Sequence, residues 1–140
     1  MPTRAFLDAN VFIFAFERPR SNSHEIVERL VAGDIEGVVT DRIVREVMGY
    51  FRRHYGKDLA GKFRDVILLT CNLLLEADLE IREQDRRAVG RKDAGALAAT
   101  RALGLGNLVS TDEDFSGIPE WRTPRDFLRA QGVRPRPGPE

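Results

Sequence analysis

The stretch FLDANVFIFAF, Phe6 to Phe16, consists largely of big apolar side chains, yet Asp8 and Asn10 interrupt it where a hydrophobic interior tolerates polar groups least. The conflict resolves if Arg4–Leu7 is a strand, the chain turns at Asp8, and a helix runs from Asn10 to Glu17. In that reading Asp8 stands at the carboxyl end of a buried strand, not inside the core. Open α/β sheets present their ligand-binding groups at such ends, where the strand order switches direction.

Outward from this segment, strand and helix patterns keep alternating. Pro19 and Asn22 mark a loop over Glu17–Ser23, and Asn22 with Glu25 makes a capping box opening a helix to about Ala32, closed by Gly33. Glu36–Thr40, with its β-branched GVVT, predicts a buried strand. Asp41 suits the N-cap of a helix to about Tyr55, with Ile43, Val44, Val47, Met48 and Phe51 on one face and Gly56 at its end. A mostly buried helix is expected from about Lys57 to Ala77, and then a strand over Leu79–Arg82. In RKDAGALAATRALGLG, Ala94, Ala98 and Ala102 recur at helical spacing and suit close packing on a sheet, with Gly104 or Gly106 as the stop. NLVST predicts a fourth strand and Trp121–Thr123 a short edge strand. Thr123, Pro124 and Asp126 supply N-cap, N1 and N3 of a last helix. The expected architecture is a single α/β domain over residues 1–131 with a central, mostly parallel sheet, followed by a flexible tail at 132–140.

With 140 residues, of which 42% are hydrophobic and 31% charged, the chain has the balance of an ordinary globular domain that buries its core without staples. The single cysteine, Cys71, excludes an internal disulfide and fits a reducing, cytoplasmic compartment. Asp8 breaks the apolar start, and the run Val66–Leu75 is about half of the ~20 residues a bilayer span needs, so no secretory or membrane segment is expected. The 22 basic and 22 acidic residues cancel, so net charge announces no polyanion partner. Only Lys57, Lys62 and Lys92 are lysine; the Arg-rich remainder suits bidentate phosphate contacts and is equally explained by compositional bias.

Four acidic residues carry the functional reading. Each has an ordinary explanation: Asp8 and Asp112 as turn residues, Glu46 as a surface helix residue, Asp93 as a favourable charge at a helix N-terminus. Together, two strand ends and two helices of one α/β edge bring their carboxylates toward one pocket. Converging carboxylates repel unless a cation neutralises them, and an all-oxygen donor set suits Mg²⁺ or Mn²⁺. His24 and His54 lie in unrelated segments, which argues against zinc.

In order and spacing, Asp8 in FLDANVFI, Glu46 in VREVMGYF, Asp93 in RKDAGALAAT and Asp112 in LVSTDEDF resemble the acidic quartet of PIN-domain nucleases. The resemblance spans about Arg4 to Leu128 and includes Asn10 after the first Asp and the pair Ser110–Thr111 before the last. It implies a three-layer fold with a mostly parallel sheet of four or five strands, and the quartet as catalytic and metal-binding groups for Mg²⁺ or Mn²⁺. It further implies cleavage of RNA phosphodiester bonds, leaving a 5′-phosphate and a 3′-hydroxyl. A single-domain chain of this length looks like the VapC-type toxins of toxin–antitoxin pairs, which implies a homodimer and a small antitoxin partner. Asn10, Ser110 and Thr111 are expected as supporting groups. Asp114, two residues beyond Asp112, either assists it or replaces it.

Because a metal-free acidic pocket repels phosphate, the grip on RNA is expected elsewhere. Arg52 and Arg53 at the end of one helix are candidates, as are Arg86, Arg87, Arg91 and Lys92 ahead of Asp93; a solvated surface explains them equally well. The partly alternating Phe6, Phe12, Phe14 and Phe16 read as core, and Trp121 as either an interface residue or a cover for the sheet. Two rival readings stand beside the nuclease. One is a haloacid-dehalogenase-like phosphatase with Asp8 as nucleophile, although Asn10 occupies the place where such enzymes carry a second Asp. The other is a PIN-fold module that binds without catalysis.

Overall fold

Five strands run parallel through the centre of the molecule in the order β3-β2-β1-β4-β5. They are β1 (Thr3–Leu7), β2 (Ile35–Thr40), β3 (Cys71–Leu74), β4 (Leu108–Val109) and β5 (Trp121–Arg122). Seven helices surround them: α1 (Ala9–Glu17), α2 (Asn22–Val31), α3 (Asp41–Tyr55), α4 (Lys57–Thr70), α5 (Glu83–Val89), α6 (Ala94–Ala102) and α7 (Pro124–Ala130). Short 3-10 turns lie at Glu76–Asp78 and Glu113–Phe115. This is a computed structural model, and it describes residues 2–138 and 140.

Parallel strands need crossovers, and right-handed crossovers from β1 to β2 to β3 lay α1 to α4 on one face. Returning from β3 to β4 reverses the direction and carries α5 and α6 to the other face. The sheet order therefore switches between β1 and β4, which pair directly through Phe6 with Leu108 and Leu7 with Val109. The core fills both sides of the sheet: Phe6, Leu7, Val38, Val39, Leu108 and Val109 are fully buried. Residues 94–100 of α6 are buried throughout, because that helix is sandwiched between the strands and α5. Gly37 in β2 is the tightest point of the sheet: a Cβ there would lie 2.8 Å from the Cys71 sulfur. Burial pushes the Cys71 thiol up to about 11, so it stays protonated.

Four local expectations are corrected. The long helix expected from Lys57 to Ala77 ends at Thr70, and Cys71–Leu74 becomes β3, pairing along β2 from Gly37–Cys71 to Thr40–Leu74. The run VILLTCNLLL is apolar enough for either element; the free edge of β2 decides, aided by the low helix propensity of Thr70, Cys71 and Asn72. No strand forms at Leu79–Arg82, and α5, not expected, follows it. Helix α2 is capped by Ser21, whose hydroxyl accepts the His24 amide at 3.1 Å, and not by Asn22, whose side chain binds the Arg136 backbone. Helix α3 is capped by Thr40, while Asp41 accepts the Glu76 amide at 2.8 Å and so ties the end of β3 to α3. Beyond these four, two residues of the segment expected as a flexible tail bond to α2: the Arg136 amide donates to Asn22, and the buried Glu140 carboxylate accepts from the Asn22 and Ser23 amides and the Ser23 hydroxyl.

Candidate metal centre

The switch between β1 and β4 places two strand ends side by side, and a hydrogen-bond lattice joins them. Asp8 donates its amide to the Val109 carbonyl at 3.0 Å, and its Oδ1 accepts the Ala9 amide at 2.8 Å, which starts α1. Its Oδ2 accepts the Ser110 hydroxyl at 2.7 Å and the Asn10 amide group at 3.3 Å. Asn10 also donates to Ser110 Oγ and accepts the Thr111 amide through Oδ1, and Ser110 Oγ accepts the Asp112 amide. Trp121, on the neighbouring β5, donates its indole N–H to the Ser110 carbonyl at 3.0 Å. Trp121 thereby braces the chain just beyond β4 at Ser110. Sequence reasoning missed that role, and only strand pairing reveals it.

Above this lattice is a cleft of about 180 Å³ lined by Asp8, Asn10, Glu46, Lys92, Asp93 and Asp112, together with Ala9 and Ile13. All four expected acids thus border one cavity. Asp93, Asp112 and Asp114 are the tightest group, each offering a carboxylate oxygen within 4.8 Å of the others. Asp112 and Asp114 both belong to it, bound to each other through the Asp114 amide and Asp112 Oδ1. Asp93 is the N-cap residue of α6, yet its side chain makes no capping hydrogen bond. Its carboxylate is therefore free for the cleft, while its charge still stands at the N-terminus of α6. Glu46 reaches the cleft from α3 and is held by Arg42 Nε at 3.1 Å, a partner one turn back.

Burial raises the pKa of Asp8, with Glu46 and Asp112 adding to the rise and the hydrogen bonds from Ser110 and Ala9 opposing it. Burial, then Asp8 and Asp112, push Asp93 up to about 6. Lys92 moderates the shift at Asp93 without forming an ion pair with it. An oxygen-only donor set in which the charged forms of Asp8 and Asp93 are disfavoured fits a hard divalent cation.

The expected RNA-contacting residues divide. Lys92 borders the acidic cleft, and Arg53 lies in the cavity next to it. On α5, the half-buried Arg86 and the exposed Arg87 face Glu83 at 3.7 Å each, while Arg52 and Arg91 are exposed away from both cavities. Among the described residues, no helix is long and apolar enough to cross a membrane.

The sequence matches no family model and no curated protein. Solved structures do match. A chain of a toxin–antitoxin complex from Klebsiella pneumoniae is 20% identical with a TM-score of 0.60, covering 86% of this chain and 97% of that one. A chain of VapBC2 from Rickettsia felis, bound to a DNA fragment from its promoter, is 14% identical with a TM-score of 0.65, covering 86% and 98%. Mycobacterium tuberculosis VapC20, a toxin that cleaves the sarcin-ricin loop, is 17% identical with a TM-score of 0.54, covering 80% and 92%. The parallel five-stranded sheet between helices and these likenesses agree: the chain has the PIN-like α/β fold that its acidic quartet led us to expect.

Proposed function

We propose that this chain is a divalent-metal-dependent endoribonuclease acting as the toxin of a VapBC-type toxin–antitoxin pair. The observation that carries the reading is the convergence of Asp8, Glu46, Asp93 and Asp112 on one cleft at the β1–β4 switch. Asp93, Asp112, Asp114, Asp8 and Glu46 would hold Mg²⁺ or Mn²⁺. When bound, such an ion acidifies a water and withdraws charge from a scissile phosphate, so that in-line hydrolysis leaves a 5′-phosphate and a 3′-hydroxyl.

The chain's own residues prepare this chemistry. Ser110 and Asn10 fix Asp8 Oδ2 and the Ala9 amide fixes Oδ1, so the carboxylate keeps one orientation as charge changes around it. Asp93 gives up its proton above about pH 6, which adds its charge to the set. Lys92 at the rim attracts the phosphate that the bare acids repel. No hydroxyl, thiol or imidazole lines the cleft among the described residues, and in this reading the acids hold the ion while a water makes the attack.

Likeness to chains from toxin–antitoxin complexes supports the toxin reading. An antitoxin or a second copy of the chain would find apolar surface to cover. Ala15, Phe16, Val27, Val31, Phe63 and Val66 line a groove between α1, α2 and α4, and Leu68, Leu69, Leu73 and Leu75 are exposed beside β3. The direct test is Asp8→Asn assayed on RNA with Mn²⁺: cleavage falls at least ~1000-fold, about 4 kcal/mol of transition-state stabilisation, while the thermal transition is retained. Undiminished cleavage contradicts the assignment. Growth arrest on expression, relieved by the product of a small adjacent gene, is the outcome expected of a toxin.

A further inference from the structure

The acidic cleft opens sideways into a second, polar groove of about 340 Å³ between α1 and α3. Glu46 and Lys92 border both, and Arg45, Gly49, Tyr50 and Arg53 line only the second. Glu46, Gly49, Tyr50 and Arg53 are spaced i, i+3, i+4 and i+7 on α3, so one helix face carries a carboxylate of the cleft at one end and a guanidinium at the other.

The cations of this groove are not equivalent. Arg45 is tied to Asp41 at 2.8 Å, and Arg42, one turn before Glu46, is tied to that carboxylate. Arg53 and Lys92 make no ion pair among the described residues. The Arg53 guanidinium rests over Gly49, with Nη1 3.4 Å from where a Cβ would stand. Tyr50 is held by both ends. Its hydroxyl donates to Glu17 at 2.6 Å, and its ring lies 4.4 Å from the His54 imidazole. Tyr55 donates to the same Glu17 carboxylate at 2.8 Å, which anchors that acceptor.

Two unpaired cations and a fixed aromatic wall, continuous with a cleft suited to a metal and a phosphate, match the chemistry of a nucleotide. Cations take its phosphate and a π-face takes its base. We propose that the α1–α3 groove binds the nucleotide of a single-stranded RNA that flanks the scissile phosphate, with Arg53 and Lys92 on its phosphate and Tyr50 against its base. This rests on the nuclease reading of the adjoining cleft. It also separates the basic residues that the sequence left equal, because Arg86 and Arg87 are paired on α5 and Arg52 and Arg91 lie off the groove.

The test uses the full chain carrying Asp8→Asn to prevent cleavage, with Mg²⁺ and a fluorescent, mixed-sequence single-stranded RNA on the order of ten nucleotides long, followed by anisotropy across a salt series. Arg53→Ala and Lys92→Ala each weaken binding and each flatten the slope of log affinity against log salt by about 0.7, the value for one single-strand phosphate contact. Tyr50→Ala weakens binding roughly tenfold with an unchanged slope, because stacking releases no counterion. Arg86→Ala changes neither. The proposal is overturned if Arg53→Ala behaves like Arg86→Ala, or if the wild-type chain cleaves the RNA while the Asp8→Asn chain shows no binding that depends on Arg53. Its failure leaves Mn²⁺ binding and wild-type cleavage intact. Failure of the nuclease reading shows instead as a wild-type chain that neither binds Mn²⁺ nor cleaves, whatever Arg53 does to the salt slope.

Discussion

Two aspartates are buried to similar depth in this protein and meet opposite surroundings. Asp85 on α5 is 3% exposed and Asp8 is 8% exposed. Around Asp85 the chain supplies the countercharge: Oδ2 accepts the Arg82 amide at 3.0 Å, Oδ1 faces Arg101 at 3.5 Å, and Arg101 continues to Glu120 at 2.9 Å. Arg101 and Glu120 move each other's pKa values further apart, the guanidinium up and the carboxylate down. Around Asp8 the hydrogen bonds are equally complete, but the charges that act on it most, Glu46 and Asp112, are negative. A carboxylate with its cation built in belongs to the scaffold. One whose cation is missing from the chain is built for a cation that arrives from solvent.

The comparison is sharpest where one partner is removed. Arg101→Ala strands Asp85 and lowers unfolding free energy by roughly 2–3 kcal/mol in a denaturant titration. That is below the range for a fully enclosed pair, because the Arg101 side chain is 39% exposed. An unchanged midpoint would mean that Asp85 does not depend on its arginine.

A pH series is the next largest lever. Asp93 titrates at about 6 in the fold against an ordinary value of 3.8, so between these values the folded protein holds a proton that the unfolded chain has released. The metal-free protein therefore gains stability from this group as pH falls below about 6, and loses that contribution as pH rises through 6. Saturating Mn²⁺ reverses the trend, since the ion binds the deprotonated set. Melting temperatures at pH 5 and pH 7.5, with and without Mn²⁺, check both signs. A metal-free melting temperature that rises with pH over this window breaks the account.

Asp8→Asn gives the smallest effect. In the metal-free protein the amide sheds a desolvated charge but replaces one acceptor oxygen with a donor, so gain and loss nearly cancel and stability shifts by no more than ~1 kcal/mol. The same substitution at Asp85 lowers stability, because it leaves Arg101 without its buried partner. If both substitutions destabilise equally, the contrast between the two sites is lost.

Three acids of the centre were legible because each sits beside a local boundary signal. Asp8 follows an apolar strand, Asp93 precedes the Ala-rich α6, and Asp112 follows NLVST. Glu46 has no such signal in the middle of α3 and stood out only through the resemblance to the PIN-domain quartet. Beyond local signals the reading fails in identifiable ways. β3 exists because the edge of β2 was open to Cys71–Leu74, and nothing within VILLTCNLLL says so. Asn22 reads as a cap, but Arg136, more than a hundred positions away, engages its side chain and leaves Ser21 to cap α2. Asp85 went unremarked because its partner Arg101 lies on a different helix. The i, i+3, i+4, i+7 row from Glu46 to Arg53 was present in the sequence, and only the neighbouring cleft shows why it matters.

The central claim is that the countercharge missing around Asp8, and only partly supplied to Asp93 by Lys92, is a divalent ion. Isothermal titration of the full chain with Mn²⁺ at about pH 6, in two buffers of different ionisation enthalpy, tests it most directly. The account predicts a saturable site whose heat differs between the buffers as Asp93 gives up its proton, and which Asp93→Asn removes or severely weakens. A wild-type chain that shows no saturable Mn²⁺ binding contradicts it.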